Sequence, residues 1–595
     1  MTVSADRRLR HGLIPLVLLL AGTAPAALAQ GSNAPIPLVP PSLGGPAPDA
    51  AAPRDPQGPA PMTAPAPLGP ETATTPASPA MGAPAADRRV PSGLEVEELR
   101  PVSQEAAGTL GPDNGGLSAD LWGATPRPEV ERLLADLPAR LASPALRAAA
   151  RRLLLTAGTL PAGEGTRNLA ALRLQKLAGL GDVAGTAAML DVAPDALEDE
   201  EAAAAWMALT YLAGDSAAAC GRVGELLGRF NHAIWQKYQI VCQVQAGDAD
   251  TALLGIDMLR ELGDKDDTFF RLAEIAASGQ KPPVKGLSEP TPPQLALILA
   301  SGRPLPADLK PLGPAEAAAI ARTAAVPAAQ RAAAAERALR LGSLETAGLQ
   351  TLLEGLEPGD ARTLPAAARK PTPLIRLQLL KAALAEPSPS LKGGLVKAAV
   401  QAADPALLAG AYGSLLAEEV RSLPVNVGYA VIAPHAARLL LLQDRLAEAQ
   451  PWIELARADA RAGKDEGAWG RLWPLAAAYG LVQEREVDQG AWVAGLASGG
   501  GDAAAARDKA DGVLLVLSAL TGTALPDAAI DAGPKPQGVG VAEALSILAT
   551  SGGDGGPAQA SPLDVQAAVA ALKAAGLEDV ARRVAVEAMA GRLGA

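Results

Sequence analysis

Cysteine, histidine and aromatic residues are all scarce in this chain: two Cys, three His and 3% aromatics in 595 residues. Two Cys with no His beside them leave a tetrahedral metal ion short of ligands, which argues against a structural zinc site. His11 falls in the leader described below, so His232 and His435 are the imidazoles left to the body of the chain. Neither stands in a His-Glu-x-x-His pair, and no Gly-x-Ser-x-Gly elbow or Walker-type Gly-Lys-Ser/Thr occurs. The Gly-rich loops lack the Lys and Ser/Thr that cradle a phosphate. These absences predict a protein that is no enzyme and holds no cofactor. Net charge is −12, and without a basic patch the counterion-release mode of binding nucleic acid is excluded. Beyond the first thirty residues no apolar run is long enough to span a bilayer.

What is present begins with an export signal over residues 1–29. Arg7, Arg8 and Arg10 are the basic start, Leu13 to Ala21 is a short apolar run, and Ala27-Leu28-Ala29 offers small residues for cleavage before Gln30. An uncleaved anchor is the alternative, which Pro15 and Pro25 disfavour. Residues 30–90 are rich in Pro, Ala, Gly, Ser and Thr. They offer too little apolar side chain to offset ordering entropy, so a disordered, semi-rigid linker is expected. It reads either as a spacer or as compositional drift. Both features point to an exported, periplasmic protein.

The remainder is dominated by Ala and Leu, with few β-branched residues, which favours helices with small contact residues. Gly181-Asp182, Gly214-Asp215 and Gly247-Asp248 recur at one fixed step. Ahead of them Leu174 and Ala178, Met207 and Tyr211, and Ile240 and Val244 each share a helix face. Behind them come Thr186, Leu190 and Ala193; Ala219, Val223 and Leu226; Ala252, Ile256 and Leu259. Gly permits the left-handed residue that stops a helix, and Asp caps the next one.

This segment, residues 170–262, resembles the tetratricopeptide (or Sel1-type) family, in which a Gly-Asp turn followed five residues later by Ala divides a helix pair. Gly342 to Ala347, Gly576 to Ala581 and, more loosely, Asp444 to Ala449 echo that turn. The proline that commonly closes the family's second helix is missing, with Asn231 and Asp264 at the equivalent points. The resemblance implies an all-α superhelix, a helical-repeat solenoid whose concave face binds peptides or proteins, and no catalytic residue.

The expected organisation is a first helical array over 91–280 and a Pro-rich connector over 281–314, with a short helix from Gln294 to Ala300. A second array follows over 315–498, and Gly-rich loops with C-terminal helices occupy 499–595. Cys220 and Cys242 lie symmetrically about Asn231, where a turn joins two helices, so in an antiparallel hairpin their sulfurs are opposite. An oxidising compartment then predicts a disulfide, against two buried thiols as the alternative. His232 reads as a turn or capping residue and His435 as a helix-surface or interface residue.

Glu198 to Glu201 suits a helix start. Asp264, Asp266 and Asp267 read as a solvated turn rather than a Ca²⁺ loop, having neither the central Gly nor the terminal Glu. Trp452, Trp469 and Trp473 are the clearest binding-surface residues, unless they fill gaps between Ala-rich helices. The reading is a non-enzymatic scaffold or adaptor for envelope proteins. The alternative is a cell-wall protein, either a glycan binder or a relative of the superhelical part of lytic transglycosylases. Contact with peptidoglycan or another polysaccharide belongs to that alternative.

Overall fold

The computed structural model describes residues 103–279, 287–302, 304–306, 309–483, 487–497, 502–522 and 535–594. The leader with Ala27, Ala29 and Gln30, the linker over 30–90 and the Gly499-Gly500-Gly501 loop lie outside them. Among the described residues the chain is helical without a strand; one bridge joins Leu110 and Thr156.

Helices α1 (Arg127–Ala135) and α2 (Pro144–Leu155) lead into three hairpins. These pair α3 (Leu169–Gly179) with α4 (Val183–Val192), α5 (Glu200–Ala213) with α6 (Ser216–Arg229), and α7 (Ala233–Ala246) with α8 (Ala249–Glu261). The turns form as their residues dictate. Gly181, Gly214 and Gly247 take φ of +73°, +100° and +78°, where a side chain would be strained. Asp182, Asp215 and Asp248 each cap the next helix, accepting the amides of Gly185, Ala218 and Thr251. Leu174, Met207 and Ile240 are buried, as are both Ala219-Val223-Leu226 and Ala252-Ile256-Leu259. In α4 the register turns slightly, so that Met189 is buried and Leu190 only half so.

Successive hairpins are stitched by side chains. Trp235 Nε1 donates to Glu200 Oε1 at 2.9 Å, and Tyr211 Oη donates to Gln245 Oε1 at 2.8 Å. Helices α3, α5, α7 and α9 (Asp267–Ala277) make an inner layer, with α4, α6 and α8 outside it. The inner layer is not open. Helix α10 (Pro292–Ala300) packs across α9, α7 and α5, and α11 (Pro314–Arg322) lies on α5. The Pro-rich stretch thus carries the short helix expected over Gln294 to Ala300, which packs on the first set of hairpins.

The second stretch runs through α12 (Ala328–Leu341), α13 (Thr346–Glu354), α14 (Leu364–Ala367) and α15 (Pro373–Ala385). It continues with α16 (Pro389–Ala402), α17 (Pro405–Ala409) and α18 (Ala411–Arg421). Next come α19 (Ala433–Leu442), α20 (Leu446–Arg461), α21 (Glu466–Ala478) and α22 (Gln489–Ala497). The echoed turns appear with differences. Asp444 takes φ +58° in glycine's place, and Ala449 is buried behind it. After Gly342 the next helix starts only at Thr346, which leaves Ala347 on the surface.

The C-terminal helices are α23 (Ala503–Thr521), α24 (Gln537–Gly552), α25 (Pro562–Ala574) and α26 (Glu578–Leu593). They return to pack against the start of the body. Helix α24 packs on α1 and α2, and α26 on α2, α17, α19 and α21. Every residue from Val584 to Ala590 is buried, because α2, α17, α19 and α21 all pack on this helix. Gly538 donates to the Leu121 carbonyl at 2.7 Å, and Arg152 pairs with Asp579 at 2.8 Å. At the end of α26, Arg438 of α19 donates to the carbonyls of Ala590 (2.9 Å) and Gly594. A cation there meets the negative end of the helix dipole.

One carboxyl is buried in this seam. Glu587 of α26 hydrogen-bonds Ser143 and the Ala145 amide at the start of α2, with Arg147 close by. Burial pushes its pKa up to about 7, against the pull of those partners.

Candidate functional site

Helices α20, α21 and α22 enclose a cavity of about 250 Å³ lined by Trp469, Gly470, Trp473 and Trp492, with Arg461 and Glu466 among its polar lining. Helix α21 begins at Asp465, whose side chain accepts the Ala468 amide at 3.2 Å. The four-residue step from Trp469 then carries the next indole, Trp473, inward from the same face.

The two rings are placed differently. Trp473 is fully buried and meets Trp492 edge to face, centroids 4.9 Å apart at 76°. That is the geometry favoured by the ring quadrupoles. Trp492 Nε1 donates to the Gly470 carbonyl at 2.8 Å, while Trp473 Nε1 is buried without an acceptor among the described residues. Gly470 makes the approach possible, since a Cβ there would stand 3.1 Å from Trp492 Cδ1. Trp469 is only half-buried and is the indole that a ligand can cover. On the floor of α22, Asp488 accepts the Ala491 amide at 3.0 Å and so is committed to capping.

Of the three tryptophans expected to form a surface, two line this cavity. Trp452 does not: it is buried on α20 among core residues. Trp492 takes its place, a residue that no helical period links to Trp473. The site combines the aromatic face of Trp469 with a guanidinium and a carboxylate. Such a set binds and orients a ligand with an apolar face and polar edges.

The other singled-out residues are structural. Cys220 and Cys242 are joined, with Cα atoms 5.7 Å apart, tying α6 to α7 on either side of Asn231. His232 caps α7, its Nδ1 accepting the Ile234 amide at 3.2 Å. Glu200 and Glu201 stand in the first turn of α5. His435 is buried, not at a surface, because α19 is covered all round. Burial, with Lys397 and Arg438 nearby, holds its pKa down to about 4. Asp264 and Asp266 are not simply solvated, for both pair with Lys237 (3.1 and 3.0 Å). Asp266 also caps α9.

Among the described residues no group of three or more His, Cys, Asp or Glu is placed to hold a metal ion, and no helix is long and apolar enough to cross a membrane. No protein-family model, curated protein or solved structure matches the chain. Its class is set by its geometry: an all-helical, repeat-like protein built from adjacent packed hairpins.

Proposed function

We propose that this protein works by recognition, as an exported tetratricopeptide-like scaffold or adaptor that joins proteins in the bacterial periplasm. The observation that supports this most is the run of three Gly-Asp hairpins whose outer helices α4, α6 and α8 lie on one side of the inner layer. The disulfide between α6 and α7 suits an oxidising compartment. Crosslinking in intact cells, followed by mass spectrometry of the purified full chain, tests the reading. It expects one or more envelope proteins joined to residues of the outer layer. Recovery of the chain in the cytoplasmic fraction, or the absence of any protein crosslink, would overturn it.

A second reading has its own support. The half-buried Trp469, beside Arg461 and Glu466, offers a stacking face to a saccharide ring with polar groups for its hydroxyls. Soluble peptidoglycan fragments should then shift the tryptophan emission, and Trp469→Ala should abolish the shift. Unchanged emission in the parent protein would remove the glycan reading.

A further inference from the structure

The outer face of the second and third hairpins carries an apolar ridge that the other described residues leave uncovered. Leu254, Met258 and Leu262 follow at four-residue steps along α8 and its C-terminal edge, and they are 61%, 53% and 69% exposed. The same helix buries Ala252, Ile256 and Leu259, so the ridge is surplus to its packing. At 100° per residue the ridge lies between two other rows. On one side is Gly255, which closes against Ile240 of α7. On the other is an exposed acidic row of Asp250, Asp257 and Glu261.

Helix α6 of the preceding hairpin also has a bare face. Gly221, Gly224 and Gly228 share one face of α6, flanking the Cys220 that ties α6 to α7. A Cβ at any of the three would meet nothing within 4 Å. Internal packing does not require these glycines, and each costs a helix about 1 kcal/mol relative to alanine. A bare helix face lets another backbone come close, and the α8 ridge supplies apolar area to bury.

We infer that this outer face docks an amphipathic helix of a partner protein, with the partner's apolar stripe against Leu254, Met258 and Leu262 and its Lys or Arg residues along the acidic row. The partner's charge is set by complementarity: the α8 rim presents carboxylates, of which Asp257 is shared with Arg260 at 3.4 Å, while Asp250 and Glu261 make no ion pair among the described residues. The ridge fixes the partner's helical period and the acidic row its sign. This deepens the adaptor reading and rests on it.

The test uses the full chain and two synthetic amphipathic peptides of about five turns. They share one leucine stripe, and its borders are lysine in one and glutamate in the other. The lysine peptide should bind at least about tenfold more tightly by fluorescence anisotropy. Leu254→Ser with Met258→Ser should lose that binding, and Asp257→Lys with Glu261→Lys should reverse the preference. All four positions are exposed, so circular dichroism should be unchanged.

Equal binding of the two peptides, or full binding by the serine variant, would overturn the inference. So would a dimer of the parent chain in sedimentation that the serine variant abolishes, since the face would then belong to a second copy. Crosslinking in cells separates this proposal from the reading beneath it. A partner that stays crosslinked to the serine variant leaves the adaptor standing and removes this surface; no partner on the parent chain removes the adaptor itself.

Discussion

Replacing Glu587 by glutamine should change how stability depends on pH, and the seam between α2 and α26 sets the size of the change. The carboxyl titrates at about 7 in the folded chain, against an ordinary 4.5. At about 1.4 kcal/mol per pH unit, that difference amounts to roughly 3 kcal/mol. The sign follows from proton binding. A folded state that holds the proton more tightly than the unfolded one gains stability that is complete below pH 4.5 and is lost as pH rises through about 7.

His435 acts the other way. Its pKa falls from 6.5 to about 4, so its contribution is present above 6.5 and is lost as pH falls through about 4. In the parent chain the two largely offset each other between pH 4.5 and 6.5. In Glu587→Gln only the histidine slope remains. The variant should therefore gain stability as pH rises across that window, and near neutrality it should exceed the parent by roughly 3 kcal/mol. Equilibrium urea unfolding, followed by tryptophan fluorescence at several pH values, measures the difference. Parallel pH profiles for the two proteins would refute the assignment of a buried, protonated carboxyl at this seam.

Three other perturbations have defined outcomes. Cys220→Ala with Cys242→Ala opens a loop of 22 residues, which should cost about 3 kcal/mol; its melting temperature should match that of the reduced parent and ignore added reductant. Arg438→Met removes the donors to Ala590 and Gly594 and should cost about 2–3 kcal/mol, with amide exchange rising first near the end of α26. Asp215→Ala removes the cap on α6 and should cost about 1 kcal/mol by urea unfolding.

The hairpins are legible in the sequence because what makes them is local. A glycine at positive φ, an aspartate cap and a four-residue stripe all fall within one turn of each other. The Cys220–Cys242 bond is legible for a related reason, since symmetry about Asn231 places the two sulfurs without tertiary information. The closure is not. Helix α26 reads as one more Ala/Val-rich helix, and no residue in it signals that α2, α17 and α19 will all pack on it.

Burial of Glu587 depends on neighbours hundreds of residues away, and that of His435 on groups up to some forty residues away on other helices, which a local pattern does not contain. The tryptophan cavity falls between these cases. The step from Trp469 to Trp473 is readable, whereas Trp492 arrives through the placement of α22. Trp452, on the preceding helix, spends its ring on the core.

The ion pair between Arg152 and Asp579 spans 427 residues, and this distance has a cost during synthesis. The earliest helices of the body must wait, one apolar side bare, for a segment made more than four hundred residues later. Non-local closure of this kind slows folding and leaves sticky intermediates in the interval. A nascent chain stopped before α26 should therefore be held by chaperones, and a truncation that removes α26 should be far more damaging than the length lost implies.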